Sequence, residues 1–346
     1  MKLITEAIIV CIALGLLLMP GVQATGQYTL VKTWGSLGHG DGQFEWPWGV
    51  TVDSSGNVYV ADAHNNRVQK FDSNGIFLAK WGSFGQGDGQ FDGSGNNGPY
   101  GVVSDANGNI YMTDCGPRST LGNNRIQKFT SDGTFVTKWG SYGSGDGQFA
   151  SPIGIGMDSL GYVYVADWYN FRIQKFTPDG IFITKWGTEG SGDGQFEYPQ
   201  SVAGDAAGNI FVADTYNHRI QKFDSNGNFL MKWGSYGNGD GQFYLPAGVV
   251  VDSSGNVYIS DSWNQRVQKF TADGKFLTKW SVPSQWAYLQ GITVDGEGNV
   301  YVVNNGYNRV QKFAQENEIP EFPSMVVPVA VIVGCMIIVF SLAKRE

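Results

Sequence analysis

The sequence predicts an all-β fold, a six-bladed β-propeller of the kind with four antiparallel strands per blade, and three observations predict it. The segment Arg-(Val/Ile)-Gln-Lys-Phe is written six times, beginning at Arg67, Arg125, Arg172, Arg219, Arg266 and Arg309, with successive spacings of 58, 47, 47, 47 and 43 residues, a period at which each repeat is one supersecondary unit. Every copy lies among short runs of alternating or β-branched character punctuated by turn residues. The chain also begins its repeats with an orphan strand, Tyr28-Thr-Leu-Val-Lys-Thr-Trp34, and ends them one strand short. That orphan would complete the sixth unit and close a ring; five blades plus fragments is the competing count.

One unit shows the elements in order. Gly49-Val-Thr-Val-Asp53 is the first strand, Val58-Tyr-Val-Ala-Asp62 the second, Arg67-Val-Gln-Lys-Phe71 the third and Ile76-Phe-Leu-Ala-Lys-Trp81 the fourth. Hairpin signals, Ser54-Ser-Gly-Asn57 and Asp72-Ser-Asn-Gly75, separate the first pair and the last pair. Four-stranded units repeated about an axis are propeller blades. The 49 glycines and 14% aromatic content suit many tight turns and pleated, half-buried surfaces. The formal net charge of -8 and the lack of a basic run speak against a nucleic-acid partner.

The pattern Pro-x-Gly-Val-x-Val-Asp-x-x-Gly-Asn-Val-Tyr-Val-Ala-Asp-x-x-Asn-x-Arg-(Ile/Val)-Gln-Lys-Phe resembles the NHL repeat and runs from about Tyr28 to Phe313. The resemblance implies the propeller fold and leaves function open, because such propellers host protein-binding, RNA-binding and enzymatic members. The zinc-binding cysteine clusters that precede the propeller in ubiquitin-ligase relatives have no counterpart here.

The ends of the chain predict export. Lys2, an apolar run from Ala7 to Met19 and Val22-Gln23-Ala24 have the order of a secretory signal over residues 1–24, an uncleaved anchor being the alternative. The propeller is expected over 25–314, a linker over 315–324, an uncharged span over 325–342 and a basic tail over 343–346. Pro320-Glu321-Phe322 before the span resembles the archaeal PEF-CTERM sorting signal, which implies removal of the helix and transfer to a surface anchor; a plain single-span anchor is the alternative. Either way the expected location is the cell surface, with the propeller outside and held to the membrane by the helix or by a replacement anchor. Cys115 would be the sole cysteine of the exported domain, with no disulfide partner.

Residues that repeat are expected to be structural. The acid ending each second strand, Asp62, Asp114, Asp167, Asp214 and Asp261, precedes Arg67, Arg125, Arg172, Arg219 and Arg266 by one short loop, which predicts a clamp within each blade. Asn304 takes the acid's place before Arg309, which predicts a weaker clamp or carbonyl partners there. Asp41 in Gly40-Asp-Gly-Gln-Phe44 and Asp53 at the end of the first strand are expected to cap turns, and Phe44 to plug between blades.

Residues that vary are expected to touch a ligand. Alternating strand directions place His64, Trp168, Tyr169, Tyr216, Trp263 and Tyr307 on one face, with Trp48 and Tyr100 at the channel mouth and Arg118 on an insertion of blade two. Aromatic rings there predict recognition of a glycan or an extended peptide. No catalytic residue, metal site or cofactor is expected: the inner strands carry no carboxylate or imidazole, and His39, His64 and His218 stand on blades too far apart for one zinc. A lactonase- or lyase-type enzyme working at the same face is the alternative.

Overall fold

The computed structural model describes residues 27–92, 98–116, 122–283 and 288–316. The expected leader, sorting motif, membrane span and tail lie outside them, as does Arg118. Among the described residues no helix is long and apolar enough to cross a membrane.

Residues Tyr28–Gln315 form one unit, built of six four-stranded antiparallel sheets. β1 (Tyr28–Trp34) is followed by blade one, β2 (Pro47–Val52), β3 (Val58–Asp62), β4 (Arg67–Phe71) and β5 (Phe77–Trp81). Blade two is β6 (Gly98–Ser104), β7 (Ile110–Cys115), β8 (Arg125–Phe129) and β9 (Phe135–Trp139); blade three is β10 (Pro152–Met157), β11 (Val163–Asp167), β12 (Arg172–Phe176) and β13 (Phe182–Trp186). Blade four is β14 (Pro199–Gly204), β15 (Ile210–Asp214), β16 (Arg219–Phe223) and β17 (Phe229–Trp233); blade five is β18 (Pro246–Val251), β19 (Val257–Asp261), β20 (Arg266–Phe270) and β21 (Phe276–Ser281). Blade six is β22 (Leu289–Val294), β23 (Val300–Asn304) and β24 (Arg309–Gln315), completed by β1, which pairs antiparallel with β24 from Tyr28 opposite Gln315 to Trp34 opposite Val310.

The first strands of the blades ring a narrow channel, and glycine lets them approach. A Cβ on Gly49 would stand 2.4 Å from the Tyr100 carbonyl oxygen, and one on Gly101 2.4 Å from that of Ile153. The core lies between blades: Phe44, Phe71, Val58 and Val60 of blade one pack with Trp34, Tyr301 and Val310 of blade six. Five outer tryptophans, Trp34, Trp81, Trp139, Trp186 and Trp233, cover the third-to-fourth-strand turn of the next blade, so that a Cβ on Gly227 would meet the Trp186 ring at 2.6 Å, while Trp280 stacks on Tyr28 at 4.1 Å. Cys115 is a buried free cysteine, and burial pushes its thiol up to about 12.

The repeated pentapeptide works as fastening, one residue at a time. Val68 and Phe71 are core. Gln69 Nε2 donates to the Gln43 carbonyl at 2.6 Å and to Asp62 at 3.0 Å, while its Oε1 accepts the Gly42 N–H at 2.9 Å. Lys70 crosses to the next blade, donating to the Ser131 carbonyl at 3.1 Å; Lys175 and Lys222 reach Ser225 and Ala272 in the same way at 3.0 and 3.1 Å.

Candidate functional site

The two ends of the channel are built differently. At the end carrying the first-to-second-strand turns, Asp53 Oδ1 accepts the N–H groups of Ser55 and Asn57 at 2.9 Å, and its Oδ2 accepts Tyr59 Oη at 2.8 Å. Burial works against these hydrogen bonds, yet they leave the Asp53 carboxyl below its usual pKa. A cavity of about 700 Å³ opens there, lined by such turns from blades two to five. The aspartates that follow its first strands, Asp105, Asp158, Asp205 and Asp252, are engaged in capping.

The opposite end, the loop face, carries the clamps and the variable residues. Arg67 Nε donates to Asp62 at 2.7 Å, Nη1 to the His39 carbonyl at 2.8 Å, and Nη2 to the Gly40 and Gln43 carbonyls at 2.8 Å. Arg125, Arg172, Arg219 and Arg266 hold Asp114, Asp167, Asp214 and Asp261 at 2.7–2.9 Å. Burial pushes these carboxyls up, Asp114 to about 6, against the pull of guanidinium and N–H donors. A guanidinium with a carboxylate and three carbonyls has four of its five N–H donors filled and its charge paired. The clamps therefore pin the long loops and leave no charge to spare for a ligand.

One expected cap is misassigned in the sequence reading. Gln43, not Asp41, closes the glycine loop, its Oε1 accepting the Gly40 N–H at 3.0 Å. Asp41 turns outward to Lys80 at 2.5 Å, and Asp88, Asp146, Asp193 and Asp240 pair with Lys138, Lys185, Lys232 and Lys279 at 2.5–2.8 Å. The longer amide side chain reaches back three residues, which frees the shorter acid for the neighbouring lysine.

Blade six departs from this plan. Asn304 donates to Gln311 Oε1 at 2.8 Å, and Arg309 Nη2 donates to the Pro283 carbonyl at 2.7 Å, with the guanidinium 4.8 Å from the Tyr307 ring centre. Burial lowers the Arg309 pKa from the usual arginine value.

The variable residues gather in three places. Trp48 and Tyr100 meet at 4.6 Å beside the channel mouth. Tyr100 is only 6% exposed and belongs to a buried cluster with Ala63, Cys115 and Ile153, against which Trp48 and Trp168 pack. Gln200 Nε2 donates to Gln290 Oε1 at 2.6 Å across the mouth, and the channel behind holds only about 60 Å³. A first platform spans blades three and four: Trp168, Tyr169, Phe171 and Tyr216 all lie within 5.2–5.9 Å or closer of the Tyr198 ring centre. A second runs across blades four to six through His218, Tyr236, Tyr244, Trp263 and Tyr288, each ring 5.1–5.9 Å from the next. Tyr216 and Trp263 are each 47% exposed. His64 stacks on Trp46 at 5.6 Å and 9°.

Trp46, Phe171, Tyr198, Tyr236, Tyr244 and Tyr288 were missed by the sequence reading, which at Trp46 and Tyr198 took the residue after the blade-opening proline instead of the one before it. The backbone explains the error. Trp46 and Tyr198 have φ of 56° and 54°, a left-handed turn that bulky residues adopt at a cost, and it throws their rings outward while the residue after the proline turns to the mouth. A second left-handed position ends each short 3₁₀ turn, at Asn66, Phe171, His218, Gln265 and Asn308. Its side chain can link blades: Asn308 accepts the Trp46 N–H at 2.8 Å, Asn124 that of Ser151 at 2.9 Å and His218 Nδ1 that of Leu245 at 3.2 Å. At the junction of blades three and four Phe171 stands in that place, and ring contact with Tyr198 at 5.1 Å replaces the hydrogen bond.

Among the described residues no three His, Cys, Asp or Glu side chains gather as a metal site. His39 Nδ1 is 2.6 Å from Asn65 Oδ1, and with His64 on Trp46 and His218 at Leu245 the three imidazoles have separate partners.

The family model described as NHL repeat matches residues 44–71, 149–176, 196–223 and 243–270. The chain carries NHL repeats. The matched NHL segments run from the loop phenylalanine to the end of the third strand in blades one, three, four and five; blade two carries the insertions and blade six the Asn304 departure. Short stretches are similar to Protein lin-41 of Caenorhabditis elegans, 52% identical over 50 residues, and to E3 ubiquitin-protein ligase TRIM71 of Rattus norvegicus, 48% over 50. These cover 14% of this chain and only 4% and 6% of those proteins. Among solved structures, the NHL propeller is similar to virginiamycin B lyase of Staphylococcus aureus in a complex with quinupristin, with a TM-score of 0.56 at 15% identity over 81% of this chain and 82% of that one. It is also similar to XC5397 of Xanthomonas campestris, a gluconolactonase, with 0.57 at 15% over 80% and 88%. At such identity the likeness is one of fold.

Proposed function

We propose that this chain is a recognition module of the cell surface whose loop face binds a glycan. One observation carries the reading: two continuous runs of rings in tilted and edge-to-face contact, built from residues that the repeated scaffold does not require, lie on a single face, with Tyr216 and Trp263 about half open to solvent. Flat aromatic surface suits the C–H face of a pyranose, and the tyrosine hydroxyls beside it suit sugar hydroxyls. An extended peptide would dock best by adding to a strand edge. Here the free sheet edges run along the channel and the rim, not across the loop face.

The lyase and lactonase likenesses give the enzymatic reading its support. Against it stand the channel walls, where Val50, Val102, Ile155, Val202, Val249 and Ile292 surround about 60 Å³, and the full engagement of the clamp aspartates. Export through residues 1–24 and anchoring after Pro320-Glu321-Phe322 are part of the same proposal.

A glycan array probed with the full chain, beside a Tyr216→Ala, Trp263→Ala variant, tests it. Binding by the wild type and its loss in the variant at unchanged melting temperature is the expected result. Hydrolysis of lactones with no glycan bound would sink the recognition reading. Mass spectrometry of the native C-terminus separates a cleaved and replaced anchor from a retained span.

A further inference from the structure

Arg309 differs from every other described arginine in having no carboxylate partner and most of its donors to spare. Its counterpart one blade earlier, Arg266, gives Nε to Asp261 at 2.7 Å, Nη1 to the Asn238 carbonyl at 2.7 Å and Nη2 to the Gly239 and Gln242 carbonyls at 2.8 Å. Blade six lacks both halves of that arrangement. The carboxylate is replaced by Asn304, which is turned to Gln311, and residues 281–290, which stand where the glycine loop would be, contain no acid. Among the described residues Arg309 keeps one protein acceptor, the Pro283 carbonyl, and its Nε finds none. A partly buried guanidinium without a carboxylate is costly unless something else supplies one.

The surroundings fit a sugar acid. The turn carrying Tyr307 is tied to Tyr288 by the Asn305 N–H, which donates to the Tyr288 carbonyl at 3.0 Å, and Tyr288 is the last ring of the second platform. Tyr307, beneath the guanidinium, is 38% exposed. Beside Trp263 a cleft of about 520 Å³ reaches Ser281, two residues before the proline that holds Arg309, a size within the usual range for a small ligand.

We propose that blade six is the acid-reading end of the glycan site. A carboxylate-bearing sugar of the uronate type lies against Trp263 and Tyr288, and its carboxylate takes outer N–H groups of the Arg309 guanidinium, at Nη1 and Nη2, beside the buried Nε. The planar fork of arginine matches the two oxygens of a carboxylate. A polyanion is disfavoured, because Glu45, Glu189 and Glu197 share this face and the chain carries a formal net charge of -8; one acidic group at one place is what the charges admit. This assignment rests on the glycan reading of the loop face.

Calorimetric titration of the full chain with trisaccharides bearing a single galacturonate, glucuronate or mannuronate residue, their methyl esters and triglutamate tests it. One of the three acids should bind at least about tenfold tighter than its own ester, the loss expected when a charge-assisted pair is neutralised, and Arg309→Gln should bring acid and ester to the same affinity. Asn304→Asp is the second variant: by restoring the clamp it should raise the melting temperature while removing the preference for the acid. Equal binding of acid and ester, or a preference that survives Arg309→Gln, overturns the acid-reading role and leaves the glycan reading standing. Triglutamate bound as tightly as the best uronide overturns the sugar assignment. No saccharide bound by a wild type that folds normally takes both readings down together.

Discussion

The two faces of the ring are made from the same repeat and meet opposite requirements. On the turn face every blade caps its first turn with near neighbours in sequence, so that Asp53 needs only residues 55 to 59. On the loop face each clamp joins residues some 25 apart, as when Arg67 holds the carbonyls of Gly40 and Gln43, and the short turns between clamps are left free to vary. The difference teaches that the long-range clamp, rather than the local cap, is what makes a variable surface possible: rings as bulky as Tyr198 and Phe171 can sit in left-handed turns because the loops beneath them are held elsewhere.

The sharpest way to break the comparison is to remove one acid from each face of blade three. Asp167→Ala leaves Arg172 buried without its carboxylate and should cost about 3–5 kcal/mol, whereas Asp158→Ala removes a local cap and the Tyr164 hydroxyl's acceptor and should cost about 1–3 kcal/mol. Urea unfolding of both variants checks the order; equal costs would mean that the clamp holds nothing beyond its own blade. Next in size, Gly227→Ala drives a methyl group into the Trp186 ring at a φ of 86° and should cost about 1–3 kcal/mol, read in the same experiment. Trp263→Ala acts on the loop face alone. Its half-exposed ring should contribute little to folding, within about 1 kcal/mol, while affinity for a glycan falls by about 2 kcal/mol, a hot-spot loss.

The smallest effect depends on pH. Burial lowers the His218 pKa below the ordinary value of 6.5, with Glu197, Asp261 and Asp214 pulling it back. The unfolded chain therefore takes up the proton first, so stability from this residue is complete above 6.5 and declines as pH falls through 6.5 toward the folded value. Protonation also removes the Nδ1 acceptor used by the Leu245 N–H. His218→Asn keeps an acceptor of the kind seen at Asn124 and Asn308 and cannot titrate. Its melting temperature should fall less than that of the wild type between pH 7 and pH 5; parallel curves would remove His218 from the account.

How much of this was legible in the sequence follows from the length scale of each feature. The ring, the blade count and the clasp are periodic, and periodicity survives in one dimension. The spacing of Asp62 and Arg67 announced a contact because the two residues flank one short loop. Asp41 and Gln43 were exchanged because both side chains can cap a glycine turn, and only the direction of the loop decides between them. The platforms were half visible: Trp168, Tyr169, Tyr216 and Trp263 stood out as variable aromatics, but Tyr198 is brought to them from the preceding loop by a left-handed turn that no residue pattern announces for tyrosine, and Tyr244 and Tyr288 come from the corresponding loops of the next two blades. Tyr100 erred the other way, since its ring falls into a gap beside Cys115 and Ile153. The spare donors of Arg309 were foreshadowed by Asn304, though the loss of the neighbouring glycine loop is what completes the vacancy.

The clasp has a mechanical meaning. The chain enters at Tyr28 and leaves at Gln315, directly opposite each other in the β1–β24 pair. Pulling these two points apart would load the hydrogen bonds singly, from that end inward, and the ring would unzip under modest force. A pull on Gln315 alone, resisted by cargo on the loop face, would load β24 along its length between β23 and β1, where many bonds share the strain. A tether at one end of this chain is thus a far stronger attachment than a tether at both.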